Sequence, residues 1–293
     1  MLTNSMDMSE IDRPANLDVY SSRDVVAYYA GLSYLTSCER QLFENYLKPG
    51  MAILDLGVGG GRTAPYLSGL TSRYIGLDYA EDMIKVCRTK FPGLQFAVAD
   101  ASDLSSFGHG SFDAVVFSFN GVDYLAPDQK RHQCLQECFR VLKPGGVFIF
   151  STHNPRALFV DWRWDRERVR GLASKVSGGR TLLFYPALVA LTGGRIALAL
   201  VRTAQKSAPR AAQRLPTRAF WRGEGYLVDP THGGLLTHSA VPSRVIAELA
   251  NFQFKLLSTL PEDYPQPSRQ YGTRWFYYAF AKTETSGKVA ESR

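Results

Sequence analysis

The sequence predicts an α/β fold: a seven-stranded, mostly parallel sheet with helices on both faces. Two observations carry this. Short apolar runs alternate with helical patterns from residue 51 to residue 152, and several of the runs are apolar on consecutive residues, as strands covered on both sides are. The alternation breaks at Pro155 and resumes at Pro242, where a helix and two more apolar runs complete the sheet.

In chain order, Val25, Val26, Tyr29, Leu32, Leu42, Phe43, Tyr46 and Leu47 stand at helical spacing in a stretch that stops at "KPG". "MAILDL" is the first strand and "RTAPYLSGL" a helix, followed by "SRYIGLD", "AEDMIKVCRTK" and "LQFAVAD" as strand, helix and strand. "FDAVVFSF" leads into the helix "DQKRHQCLQECFRVL", and "GGVFIFST" is the fifth strand. "GYLVDPTHGGLLTHSA" has the form of a hairpin around Gly233 and Gly234. "PSRVIAELANF" is a helix opened by Pro242, and "QFKLLSTL" and "TRWFYYAFAK" are strands. The chain therefore divides into an N-terminal helical cap segment at 1–46, a core at 47–154, an insertion at 155–225, completion of the core sheet at 226–282 and a polar tail at 283–293.

A chain of 293 residues with 45% hydrophobic and 21% charged residues has the composition of a folded globular protein. The first residues carry no basic start or apolar run of a signal peptide, which points to a cytoplasmic protein. Cys38, Cys87, Cys134 and Cys138 lack CxxC spacing and suit a reducing compartment; Cys134 and Cys138 fit a buried helix face better than a metal site, and no metal is expected. The formal charge of +7 is concentrated: residues 156–222 hold fourteen basic residues against Asp161, Asp165 and Glu167. With the rest of the chain slightly acidic, no nucleic-acid partner is expected.

"ILDLGVGGGRT", Ile53 to Thr63, sets four glycines directly behind the first strand. In an open α/β sheet the ligand lies beyond the carboxyl ends of the strands, and a loop without β-carbons lets it approach the backbone. The dinucleotide pattern G-x-G-x-x-G fails here, because Arg62 holds its sixth position.

"DLGVGGG" instead resembles the first motif of class I S-adenosylmethionine-dependent methyltransferases, with Asp55, Gly57, Gly59 and Gly61 at its fixed positions. "YIGLD", "VADASDL", "FDAVVFSFNGVDYL" and "RVLKPGGVFIFST" follow in that family's order. The resemblance covers residues 47–152 and, less closely, 242–282. It implies a Rossmann-like sheet with an antiparallel last strand, an acceptor lid inserted between strands five and six, S-adenosylmethionine as cofactor and methyl transfer to an oxygen or nitrogen of a small-molecule acceptor such as a natural product, sugar or lipophilic metabolite. It also implies that Asp78 holds the ribose hydroxyls, that Asp100 and the Ala101 amide read the adenine edge, and that Met83 covers its face. Tyr79, Phe119, Asn120 and Tyr28 join the expected cofactor contacts. Tyr28 is taken from Tyr20, Tyr28, Tyr29 and Tyr34, since in similar enzymes an N-terminal tyrosine closes over the methionine end. Asp78 and Asp100 each precede a helical pattern and also suit helix caps.

The methyl group is expected over the ends of strands four and five, near Asn120, Asp123, Tyr124, His153 and Asn154. His153 is the candidate general base, or a histidine that holds a turn. Asp123 orients the acceptor or caps a short helix, and Tyr124 stands beside it. "HNPR" lacks the second proline and the aromatic residue of DNA amino-methyltransferases and follows the wrong strand. His232 and His238 are six apart on one strand face, and a metal site there is not favoured. Within the insertion, residues 181–201 are apolar but broken by Pro186, Gly193 and Gly194. They read as two lid helices, as a peripheral membrane contact through 156–222, or as a basic face for an anionic acceptor. The oligomeric state is open, and the alternatives kept are a lipid or quinone acceptor or a non-catalytic S-adenosylmethionine-binding protein.

Overall fold

The computed structural model describes residues 16–157, Pro186, Ala190, and residues 221–228, 235–268 and 273–283. Helices α1 (Arg23–Gly31) and α2 (Ser37–Tyr46) lead into β1 (Ile53–Leu56), α3 (Ala64–Leu70), β2 (Tyr74–Asp78), α4 (Glu81–Lys90) and β3 (Gln95–Val98). Then come β4 (Phe112–Phe117), a 3-10 turn (Gly121–Tyr124), α5 (Asp128–Val141) and β5 (Leu142–His153). After the insertion follow β6 (Glu224–Val228), β7 (Leu236–Ala240), α6 (Pro242–Asn251), β8 (Phe254–Pro261) and β9 (Trp275–Lys282).

Seven strands form one sheet in the order β3-β2-β1-β4-β5-β9-β8. β1 to β5 are parallel, and β9 inserts between β5 and β8 antiparallel to both. Strand order reverses between β1 and β4, so a crevice opens at their carboxyl ends, where the glycine loop leaves β1. The two runs expected to complete the sheet do so, but the hairpin at the start of the 226–282 segment does not join it. β6 and β7 pair only with each other, in a separate two-stranded sheet. The insertion's expected lid helices, its membrane-facing alternative and His232 lie outside the described residues. No helix among the described residues is long and apolar enough to cross a membrane.

Strand alternation sorts the apolar side chains into two cores. Leu54, Leu56, Val115, Phe148, Phe150 and Phe280 face α5 and α6, where Cys134, Cys138, Val245 and Leu249 meet them. Ile53, Ala114, Val116, Ile149 and Tyr277 face the other way, onto Leu42, Phe43, Leu67, Ile84 and Cys87 of α2, α3 and α4. Both faces of β1 and β4 are buried, which is why their sequences read as continuous apolar runs. Cys134 and Cys138 lie on the buried face of α5, their Sγ atoms 4.0 Å apart.

The helical stretch at 24–47 is two helices. Leu32 is extended, and Thr36 starts α2 with a capping box in which its hydroxyl accepts from the Glu39 amide and its amide donates to the Glu39 carboxylate. Glu39 is fully buried and also takes two hydrogen bonds from Arg62, at 2.7 and 2.5 Å. Arg62 donates in addition to the Tyr34 carbonyl and lies 3.9 Å above the Phe119 ring. This pair ties the N-terminal helices to the end of the glycine loop. Arg62→Leu strands a buried carboxylate, a loss of about 3–5 kcal/mol, so the melting temperature is expected to fall on the order of 10 °C. An unshifted thermal scan would show that the pair does not anchor the segment.

Candidate functional site

The crevice is walled by the exits of β1, β2 and β4 and roofed by the N-terminal segment. Its lining includes Asp55, Gly57, Gly59, Asp78, Tyr79, Met83, Asp100, Ala101, Phe119 and Tyr124, as expected from the sequence, together with Tyr20, Tyr29, Arg62 and Lys130. Gly59 has φ +53°, and its amide donates to Asp78 Oδ2 at 2.8 Å. Asp78 Oδ1 accepts from the Ala80 amide at 2.9 Å. The carboxylate thus straps the glycine loop to the end of β2 and starts α4, leaving each oxygen one further lone pair. Burial pushes its pKa up to about 6 against the opposing pull of these amides.

The glycines are bare mostly for the protein's own sake. A β-carbon on Gly60 would collide with the Tyr29 and Ala30 backbone, so only glycine admits the end of α1 there. Lys90 latches this contact by donating to the carbonyls of Ala30 and Gly60. Gly61 does not line the crevice: its β-carbon would point at Phe91 and Cys87 of α4, so it serves helix packing. Tyr28 is turned outward, 57% exposed, with its ring edge on Tyr29. Tyr29 and Tyr20 face the crevice instead, Tyr20 meeting Tyr79 and Tyr124 edge-on at 6.0 and 5.7 Å.

Asp55 is buried; Oδ2 accepts from the hydroxyls of Thr63 at 2.6 Å and Tyr74 at 2.9 Å. Burial raises its pKa to about 6 despite these bonds. Asp100 accepts from the Ser102 amide and hydroxyl and pairs with Lys130 at 3.1 Å. Burial works against its ionisation, but Ser102 and Lys130 win and hold its pKa low.

The second half of the site is built where β4 and β5 end. Phe119 and Asn120 both have left-handed backbones, φ 53° and 59°, which swing the chain into the 3-10 turn. Asn120 does not line the crevice; its amide donates to Ser151 Oγ, and its Nδ2 lies 3.3 Å from His153 Nε2. Asp123 is fully buried, so it does not reach an acceptor in the crevice. Its Oδ2 accepts from the His153 amide at 2.6 Å and lies 2.8 Å from His153 Nδ1. Nδ1 can face a carboxylate only as a donor, so Nε2 of the neutral ring carries the lone pair. The ring is a quarter exposed and lies edge-on to Tyr124, 6.0 Å away between centroids. Burial opposes the charge on Asp123, but the hydrogen bonds from His153 and the nearby ring of His238 outweigh it and lower its pKa.

The comparisons with known proteins point the same way. Residues 54–150 match the family described as "Methyltransferase domain". Over these residues the chain resembles the core of class I S-adenosylmethionine-dependent methyltransferases. A probable S-adenosylmethionine-dependent methyltransferase of Mycolicibacterium smegmatis is 37% identical over 105 residues, 36% of this chain and 39% of its own. A fatty-acid O-methyltransferase of the same organism is 31% identical over 157 residues, 52% of this chain and 53% of its own. The chain thus spans about half or less of these relatives' length. A methyltransferase structure from Methanosarcina mazei shares the fold, with TM-score 0.54 and 18% identity over 87% of this chain and all of its own.

The cofactor of this domain family is S-adenosylmethionine, and the crevice suits it. Two buried oxygens on or beside its wall, Asp55 Oδ1 and Tyr79 Oη, have no hydrogen-bond partner among the described residues. Two carboxyls, Asp55 and Asp78, line the crevice, which suits a ligand that carries a sulfonium and an amino group. Arg62, Lys130, Tyr20 and Tyr29 extend the expected set. Arg62 follows the glycines in sequence, and the Thr36-x-x-Glu39 box signals its partner's helix, but nothing local announces that the two meet.

Proposed function

We propose that this chain methylates the hydroxyl oxygen of a small lipophilic acceptor. The observation that carries the reading is His153, behind Tyr124 of the crevice wall: its Nδ1 is held by the buried carboxylate of Asp123, and its Nε2, which accepts from Asn120 Nδ2 at 3.3 Å, would serve as base once that amide gives way. Bound S-adenosylmethionine supplies an activated methyl group, so positioning provides much of the acceleration. A base is needed where the acceptor must shed a proton, as a hydroxyl does and a neutral amine does not. Asp78 would hold the ribose, Met83 and the Ala101 amide would meet the adenine, and Tyr20 and Tyr29 would close the methionine end. The apolar lining at Phe117, Phe119, Leu125 and Ala126 and the likeness to the fatty-acid O-methyltransferase support a lipophilic acceptor.

The test is incubation of the purified chain with methyl-labelled donor and a fractionated metabolite extract. The expected label appears in a base-stable methyl ether. A base-labile methyl ester or an N-methyl product would assign another acceptor atom. Donor binding without label transfer to any fraction would make the chain a binder.

The raised pKa of Asp78 gives a pH dependence. Below about pH 6 the carboxyl is protonated and no longer offers two ionised acceptors, so cofactor affinity is expected to fall about tenfold between pH 7 and pH 5. Stability runs oppositely. A carboxyl whose folded pKa is raised contributes stability below its unfolded value and loses it as pH rises through about 6. Calorimetric titration across this window checks the affinity, and a pH-independent dissociation constant would remove Asp78 from the ribose.

A further inference from the structure

His238, in the middle of β7, is 3% exposed and lies more than a hundred positions from the turn it packs against. Its Nδ1 stands 3.6 Å from Asp123 Oδ1, the oxygen not used by His153, and its Nε2 stands 3.4 Å from Glu224 Oε1 on β6. A neutral imidazole has one N–H and would turn a lone pair toward one of these carboxylates. The imidazolium, with two N–H groups, turns a positive edge toward each, as an electrostatic contact with Asp123, since neither its Nδ1 nor Asp123 Oδ1 has a hydrogen-bond partner among the described residues. We propose that His238 is a positioning residue for the proton transfer: as a cation shared between Asp123 and Glu224, it sets how much of the Asp123 charge is left to His153 and so the pH range in which His153 takes up a proton.

This rests on the reading of His153 as base and adds a hairpin outside the main sheet to the machinery. Among the described residues the other charges near this group are Arg131 and, toward Glu224, Arg244 of α6. Arg131 of α5 faces it but is paired with Glu248 of α6 at 2.6 and 2.7 Å. Tyr226 of β6 lies edge-on to its ring and donates its hydroxyl to Asp128 of α5. From β5 the titratable neighbour of Asp123 is His153 itself, and from β9 it is the buried Tyr278 hydroxyl. Burial alone would discharge His238, but Asp123 and Glu224 override it and raise its pKa, while His238 in turn lowers that of Glu224. The carboxylate is thus divided between two histidines.

The chain has five histidines, so their rings can be followed in the whole 293-residue chain by carbon-labelled NMR, with no acceptor present and with His153→Gln and His238→Gln assigning the two resonances. Removing the cation leaves Asp123 wholly to His153. His238→Gln is therefore expected to raise the titration midpoint of the His153 ring by about one pH unit. Glu224→Gln, at a side chain 40% exposed, is expected to move it in the same direction by less, and carries the test if His238→Gln fails to fold. A structural role would lower the melting temperature and leave the midpoint in place; an unmoved midpoint in a folded variant overturns the proposal. Full methyl transfer by His153→Gln would instead overturn the base, whatever the midpoints do.

Discussion

His153→Ala is expected to lower kcat by about 10²- to 10⁴-fold, the usual contribution of a positioned general base, with S-adenosylhomocysteine binding unchanged. The two effects separate because His153 ends β5, behind Tyr124, and is not among the residues expected to hold the cofactor. Asp123→Ala should cost less than His153→Ala in kcat and more in stability. It removes the acceptor of both the His153 amide and its ring, and strips His238 of one of its two carboxylates. Steady-state rates with the acceptor found by labelled transfer check the order. Unchanged kcat in His153→Ala would reduce the histidine to a turn-holding residue.

Asp78→Ala is expected to weaken cofactor binding by about two orders of magnitude or more. Two hydrogen bonds to a charged acceptor contribute roughly 1.5–3 kcal/mol each before water replaces them. Part of the loss comes from the loop, since the same side chain anchors the Gly59 and Ala80 amides. Asp78→Asn keeps an acceptor for one of these amides and should fall between the two. Calorimetry showing wild-type affinity in Asp78→Ala would leave the residue as a strap and cap alone.

Much of this was legible in the sequence because the signals are local. An apolar run ending in Asp55, glycines behind it and a carboxylate closing the next strand lie within twenty-six residues, and their chain order is their spatial order across β1 and β2. His153 was legible as the residue just past an apolar strand. What the sequence hid depends on facing and on distance along the chain. Tyr28 was expected in place of Tyr29, although Tyr29 shares the helical spacing of Val25 and Val26, because the choice came from the resemblance and no residue of that nine-residue helix is buried. Asn120 was lost to a left-handed turn, and Gly61 to the difference between a glycine that admits a ligand and one that admits Phe91. Glu39 and Arg62, and Asp123 and His238, are pairs joined only by the fold, and burial turned Asp123 from an acceptor contact into the holder of two histidines.

The most direct measurement is a crystal structure of the full-length chain with S-adenosylhomocysteine. Expected are both ribose hydroxyls on the Asp78 carboxylate and the sulfur at the Tyr124 end of the crevice, on the side of His153. A ribose held away from Asp78, or a sulfur placed toward Asp100 and Lys130, would contradict the assignment of the site.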